Sequence, residues 1–148
     1  MNTHLHHVSL FTKDMDRSLL LFSGLLGFEK LWQAGPLGGK GMAALFGLND
    51  IQAELIMLKN QDGVMLELIH LLAPQLEAQA VPPALPVPAS LCLEVQDLDG
   101  LHQRLAQEGW EPLSPVVMMP TPTGQTIRMF CIRTEENVLL EFIEEPAA

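Results

Sequence analysis

The sequence predicts an α+β protein: two βαβββ repeats forming a curved mixed sheet around a cleft, with helices outside. Three observations carry that prediction. A short apolar strand with one central carboxylate is written twice, Val-Met-Leu-Glu-Leu-Ile at 64–69 and Val-Leu-Leu-Glu-Phe-Ile at 138–143. Asp14 and Asp97 lie 83 positions apart, and so do His7 and Ser90. Between the copies, residues 73–89 carry five prolines among alanines and read as a linker. A repeat of this kind is one supersecondary unit that cannot bury its own sheet face, so two must combine. The expected organisation is a single domain over 1–148, with repeat one at about 4–72, the linker at 73–89 and repeat two at 90–145.

Residues 4–12 alternate as a strand, with Val8 and Leu10 on one face and His7, Ser9 and Phe11 on the other. Asp14 is placed to cap a helix, and Asp16 sits in its first turn, favourable to the helix dipole. Met15, Leu19, Phe22 and Leu26 follow at helical spacing, and Gly27 ends the helix as a left-handed cap. Residues 28–33 predict a second strand and the glycine-rich 35–41 a loop. A helical turn at 42–48 is expected to form part of a lid. Residues 51–58 and 64–71 pair as a hairpin around Asn60-Gln61-Asp62-Gly63.

After the linker the pattern restarts. Residues 90–95 form a strand, and Asp97 caps a helix whose apolar stripe is Leu98, Leu101 and Leu105, closed by Gly109. Residues 110–119 contain a strand broken by Pro112 and Pro115, and 120–124 form a loop. Residues 126–133 and 138–144 make a last hairpin around Thr134-Glu135-Glu136-Asn137, where Asn137 can take a left-handed conformation. The two glutamates are 74 positions apart, so the second half is shorter between its helix and its last strand.

A chain of 148 residues, 48% hydrophobic, can bury a real core. Its net charge of −10 argues against nucleic acid and anionic membrane as partners, since both demand basic patches. No apolar run is long enough to span a membrane, and the N-terminus lacks the form of a signal peptide. Cys92 and Cys131 lie in apolar strand-like runs without CxxC spacing, which predicts a reduced, buried pair and a cytoplasmic protein.

Comparing strand faces across the repeat separates two chemistries. Val8, Leu10, Leu66, Leu68, Leu91, Leu93, Val95, Leu140 and Phe142 share the helix-facing parity, while His7, Ser9, Glu67, Ser90, Cys92, Glu94 and Glu141 share the other. Two carboxylates in one cleft raise each other's proton affinity unless a cation sits between them. An imidazole with two carboxylates suits a divalent ion such as Zn, Ni, Mn, Co or Fe(II), which can polarise a carbonyl and stabilise an enolate. A glutamate beside it can move a proton on the neighbouring carbon. The competing reading makes Glu67 and Glu141 edge-strand carboxylates facing solvent or paired to an arginine such as Arg128. His70, three beyond Glu67, has the opposite parity and points away from the cleft.

The doubled βαβββ order, the opening His-Val-Ser-Leu-Phe-Thr-Lys-Asp-Met-Asp-Arg-Ser at 7–18 and Leu-Leu-Gly-Phe at 25–28 resemble the vicinal oxygen chelate superfamily. That superfamily includes glyoxalase I, methylmalonyl-CoA epimerase, extradiol dioxygenases, fosfomycin-resistance enzymes and metal-free bleomycin-binding proteins. In its metal-dependent lyases and isomerases, the first and last strands of each half supply the ligands. Carried over, those positions are His7, Glu67, Ser90 and Glu141. The resemblance therefore implies His7, Glu67 and Glu141 as metal ligands, with Glu141 as the proton-transfer residue. Ser90 departs from the pattern, because a hydroxyl is a poor ligand where the family has an imidazole. With one histidine in place of two, a dioxygenase triad is incomplete.

Three expectations follow from the resemblance. The first is a metal-dependent lyase or isomerase acting on a small carbonyl or thioester compound. Ser9, Phe11, Phe46, Ser90, Cys92 and Arg128 would line its pocket, walled by residues 45–48 and 120–124. The second is a metal-free small-molecule binding protein of the bleomycin-resistance type, which Ser90 favours. An extradiol dioxygenase ranks last. A homodimer is expected by resemblance alone.

Overall fold

The structure, a computed structural model, describes residues 4–45, 47, 50–74, 89–120 and 124–145. The chain divides into two compact units, Met1–Ala78 and Gln79–Ala148, each an α+β unit with one four-stranded mixed sheet. Most of the predicted linker lies outside the described residues.

The first unit runs β1 (Val8–Thr12), α1 (Met15–Leu19), a π-helical turn (Leu20–Leu25), β2 (Glu29–Gly38), α2 (Lys40–Leu45), β3 (Gln52–Lys59) and β4 (Met65–Ala73). Its sheet order is β1-β4-β3-β2, with β1 parallel to β4 and the other pairs antiparallel. Asp14 caps α1 as expected, its Oδ1 accepting from Arg17 N at 3.0 Å. Gly27 closes the helical segment at φ +74°. The regular helical spacing gives way, however, to wider π turns. These turn Leu21 and Phe22 together into the core, each 2% exposed, and Phe28 meets Phe22 edge to face at 5.9 Å.

The strand expected at 28–33 continues through the segment read as a loop. β2 absorbs the glycines and Pro36 by two register shifts against β3, one between Lys30 and Trp32 and one between Ala34 and Leu37. Gly35 sits at φ +134°, and a Cβ there would stand 2.9 Å from Ala53 O, so only glycine lets the strands approach.

The second unit runs β5 (Ser90–Glu94), α3 (Leu98–Gln107), β6 (Val117–Pro120), β7 (Thr126–Arg133) and β8 (Leu139–Glu144), in the sheet order β5-β8-β7-β6. Again the first strand is parallel to the last. Asp97 caps α3 by accepting from Gly100 N at 3.0 Å. The predicted stripe is the buried one, with Leu98 and Leu105 at 0% and Leu101 at 2% exposure. Phe130, Ile132, Leu140 and Phe142 form the buried sheet face, and the rings of Phe130 and Phe142 lie 5.1 Å apart. Only the end of the segment at 110–119 is a strand, because Pro112 and Pro115 remove ladder donors before it.

Alternation sends Leu10, Ile56, Leu58, Leu66 and Leu68 to one face of the first sheet, and all are buried. The opposite face carries a smaller cluster. Ala43 of α2 packs with Ile51, Ala53, Ile69 and Leu71, and Met42 and Leu55 lie against them. The short helix thus covers one end of the face that bears Glu67. No described helix is long and apolar enough to cross a membrane.

Candidate functional site

Each unit holds one half-buried glutamate at the centre of its last strand, flanked by strand neighbours that the pleat turns to the same side. In the first unit, Ser9 of β1 is in register with Glu67 of β4 and donates from Oγ to Glu67 Oε2 at 2.8 Å. His7, just before β1, brings Nε2 to 3.5 Å from the same oxygen. In the second unit the donor moves along the strand. Ser90, at the position equivalent to His7, donates from Oγ to Glu141 Oε1 at 2.6 Å. Cys92, at the position equivalent to Ser9, stands in register with Glu141.

The histidine tautomer follows from its neighbour. His6 Nδ1 and His7 Nδ1 are 2.7 Å apart, so in the neutral pair one of the two carries the shared proton. With that proton on His7, the Nε2 lone pair faces Glu67 and is available to a cation. With it on His6, His7 Nε2–H donates toward the carboxylate instead.

The spacing suits a metal donor pair. Two ligands bound tetrahedrally to one ion at about 2.1 Å stand about 3.4 Å apart, close to the 3.5 Å between His7 Nε2 and Glu67 Oε2. Among the described residues, no group of three or more His, Cys, Asp and Glu side chains is arranged to hold a metal ion. The first unit by itself therefore offers a pair rather than a complete shell.

His7, Ser9, Phe11 and Glu67 gather on one face of the first sheet, and Ser90, Cys92 and Glu141 on one face of the second. Phe46 and most of the 120–124 loop lie outside the described residues. Arg128 is a correction. It shares its parity with buried Phe130 and Ile132, so it projects from β7 on the side that carries α3. There Nη1 donates to Glu144 Oε2 and Nη2 to Asp99 Oδ2, both at 2.6 Å. The Asp99 hydrogen bond is the main reason its pKa rises, and the Asp99 and Glu144 charges add to it against the effect of burial. Arg128 ties α3 to β7 and β8 and lies on the opposite face from Glu141.

The cysteines also differ from expectation, since Cys92 is exposed and Cys131 half-buried. Both flank Glu141, Cys92 across β5 and Cys131 across β7. Burial is the first cause raising both thiol pKa values, and the Glu141 charge adds to it. Cys131 could have been found from the sequence, because it lies 74 positions beyond Met57, the offset that separates the glutamates. Met57 is the residue opposite Glu67. Lys59 and Arg133, again 74 apart, continue those strand faces. Trp32 was invisible to sequence periodicity. The bulge after Lys30 turns it opposite Met57, onto the Glu67 face. His70 has the parity predicted for it, with Nδ1 3.0 Å from Thr12 O.

Comparison with known proteins follows the same lines. Residues 4–142 match the family model described as the Glyoxalase/Bleomycin resistance protein/Dioxygenase superfamily. A crystal structure of a glyoxalase family protein from Bacillus cereus superposes with TM-score 0.82 at 24% identity, covering 99% of this chain and 97% of that one. A glyoxylase/bleomycin resistance protein/dioxygenase domain from Frankia sp. gives TM-score 0.66 at 19% identity, covering 99% and 100%. The fosfomycin-resistance protein FosX of Listeria monocytogenes, in complex with Mn(II) and sulfate ion, gives 0.60 at 15%, covering 99% and 95%. At these identities the likenesses show the fold. No curated protein matches.

Proposed function

The chain belongs to the Glyoxalase/Bleomycin resistance protein/Dioxygenase superfamily, and on that footing we propose that it is a metal-dependent lyase or isomerase acting on a small carbonyl or thioester compound. The observation that carries the reading is the pairing of His7 Nε2 with Glu67 Oε2 at 3.5 Å, a donor separation that one ion can bridge. Glu141 of the second unit, at the repeat-equivalent place of Glu67, is the third proposed ligand. Nitrogen and carboxylate donors suit Zn, Ni, Mn, Co or Fe(II). Such an ion, when bound, supplies Lewis acidity toward a substrate carbonyl oxygen and so stabilises enolate charge.

The chain's own residues do the rest. Ser9 Oγ–H holds the Glu67 carboxylate toward His7. Ser90 Oγ–H holds Oε1 of Glu141 and leaves the other oxygen of that carboxylate to move a proton at the carbon beside the carbonyl. Phe11 shares the sheet face of Glu67, and Cys92 stands in register with Glu141. FosX, a structural neighbour, holds Mn(II), which supports testing that ion here. The reading takes the protein as a cytoplasmic homodimer with a small-molecule substrate.

A second reading rests on Ser90. Its hydroxyl stands where the family's metal enzymes have an imidazole, and at 2.6 Å it satisfies Glu141 without an ion. That arrangement favours a metal-free binding protein of the bleomycin-resistance type. Metal analysis of untagged protein, after offering Zn, Ni, Mn, Co and Fe(II), separates the two. About one equivalent retained by the wild type and lost in Glu141→Gln supports the enzyme. A folded protein that retains no metal under any condition rejects it.

A further inference from the structure

We propose that α2, acting through Ile69, sets the size limit of the ligand site at Glu67, and that the natural ligand is a compact carbonyl compound without a long acyl chain. The proposal deepens the preceding reading and rests on it, since it takes the Glu67 face as the binding face.

The Glu67 carboxylate is walled on two sides of its own face. Across the sheet, Met57 stands opposite it on β3 and is 3% exposed. Along β4 the next residue on that face is Ile69, about 7 Å further on and 2% exposed. Exposure returns over β1, where Ser9 is exposed and Phe11, in register with Ile69, is 38% exposed. A ligand that reaches Glu67 therefore lies over β1, and an extended tail directed along β4 meets Ile69 at the first step.

Ile69 is held in place by α2. Ala43 of that helix is 4% exposed and packs with Ile69, Leu71, Ile51 and Ala53. Gly39 at φ +99° and Gly47 at φ +68° turn the chain into and out of the helix. The second unit shows that the fold does not require this cover. β3 begins 24 residues after Phe28, but β7 begins only 16 after Trp110, and no described helix lies between β6 and β7. At the 74-residue offset of the two glutamates, Ala53 and Ile69 correspond to Ile127 and Ile143, both half-buried. Ile51 and Leu71 correspond to Gln125 and Glu145, both exposed. The helix and its apolar seat are thus an addition to the first unit, placed beside its carboxylate. Close-packed walls of this kind reject added methylenes, because the packing leaves no room to take them up.

Calorimetric titration with pyruvate, 2-oxopentanoate and 2-oxooctanoate, with Zn present and separately with EDTA, tests the limit. The wild type should bind pyruvate at least tenfold more tightly than 2-oxooctanoate. Ile69→Ala, and separately removal of residues 40–45, should bring that ratio close to one by tightening 2-oxooctanoate, with metal content unchanged. Circular dichroism checks that each variant folds. Where one does not, Ile69→Val takes its place and should move the ratio less, in the same direction. Equal affinity across the series in the wild type, a ratio unchanged in folded variants, or no acid bound in either arm overturns the proposal. A preference for short acids kept in EDTA by a protein that retains no metal leaves the α2 limit standing and removes the metal reading. Retained metal without that preference does the reverse.

Discussion

Ser90 Oγ and Glu141 Oε1 stand 2.6 Å apart, so the second unit replaces an imidazole–carboxylate pair with a hydroxyl–carboxylate hydrogen bond. The first unit keeps both, since Glu67 has Ser9 at 2.8 Å and His7 at 3.5 Å. Restoring the imidazole by Ser90→His should raise metal affinity at least tenfold, because a hydroxyl contributes little to a divalent ion of this class and a neutral imidazole contributes strongly. Competition against a chelator measures it. An unchanged affinity would place Glu141 outside the metal shell.

His7 needs its proton on Nδ1 to leave the Nε2 lone pair free for a cation, and His6 Nδ1 at 2.7 Å can accept a hydrogen bond from that N–H. His6→Ala should weaken metal binding several-fold and shift the His7 tautomer in the metal-free protein. Two-bond nitrogen–proton correlations read the tautomer directly. The same tautomer in both proteins would show that His6 orients nothing.

The thiols should alkylate slowly near neutral pH. Burial first, and the Glu141 charge second, hold Cys92 and Cys131 above the ordinary thiol range of about 8.5. Thiolate, and with it the iodoacetamide rate, appears only as pH rises above that range. Glu141→Gln removes the negative neighbour, lowers both values and speeds alkylation at about pH 8. The linkage sign agrees. A pKa raised by folding contributes stability that is fully present below the unfolded value of about 8.5 and is lost as pH rises through the folded one. Rates and melting curves across pH 7 to 10 check both statements.

Phe142 is fully buried against Phe130, and its truncation leaves a cavity that neighbouring strands cannot close. Phe142→Ala should cost about 3–5 kcal/mol in urea unfolding. Arg128→Met should cost far less, since the bonds to Asp99 and Glu144 are part-exposed. Because Arg128 lies on the helix side, its loss should leave ligand and metal binding unchanged. A binding defect in a folded Arg128→Met would return this arginine to the site.

Asn137 takes φ +66° in the turn before β8. Asn137→Ala should destabilise by about 1 kcal/mol, and Asn137→Gly should be neutral or stabilising, since glycine alone meets no Cβ penalty there. Thermal denaturation of the pair measures it.

Much of the fold was legible because local chemistry repeats. Asp14 and Asp97 each cap a helix ahead of an apolar stripe, Asn60-Gln61-Asp62-Gly63 turns a hairpin, and alternation alone assigned Glu67 and Glu141 to the face opposite Leu66, Leu68, Leu140 and Phe142. The Ser–Glu hydrogen bonds are consistent with that alternation, since it puts each serine and the glutamate of the neighbouring strand on one face. The long β2 was not legible, because Gly35 and Pro36 read as breakers while the partner strand β3 absorbs them by register shifts.

What the sequence by itself determined is the periodicity: two βαβββ units, their caps and turns, and the parity of each strand. These depend on bonds between near neighbours and on which side chains avoid water. Tertiary structure decided which side of a sheet a cation serves and where a bulge redirects a strand. Arg128 went to Asp99 and Glu144 because α3 brings a carboxylate to that face. Trp32 turned toward Glu67 because one extra residue in β2 reverses the pleat. Both outcomes depend on pairing between segments far apart in the chain, and residue order alone carries no record of such a register.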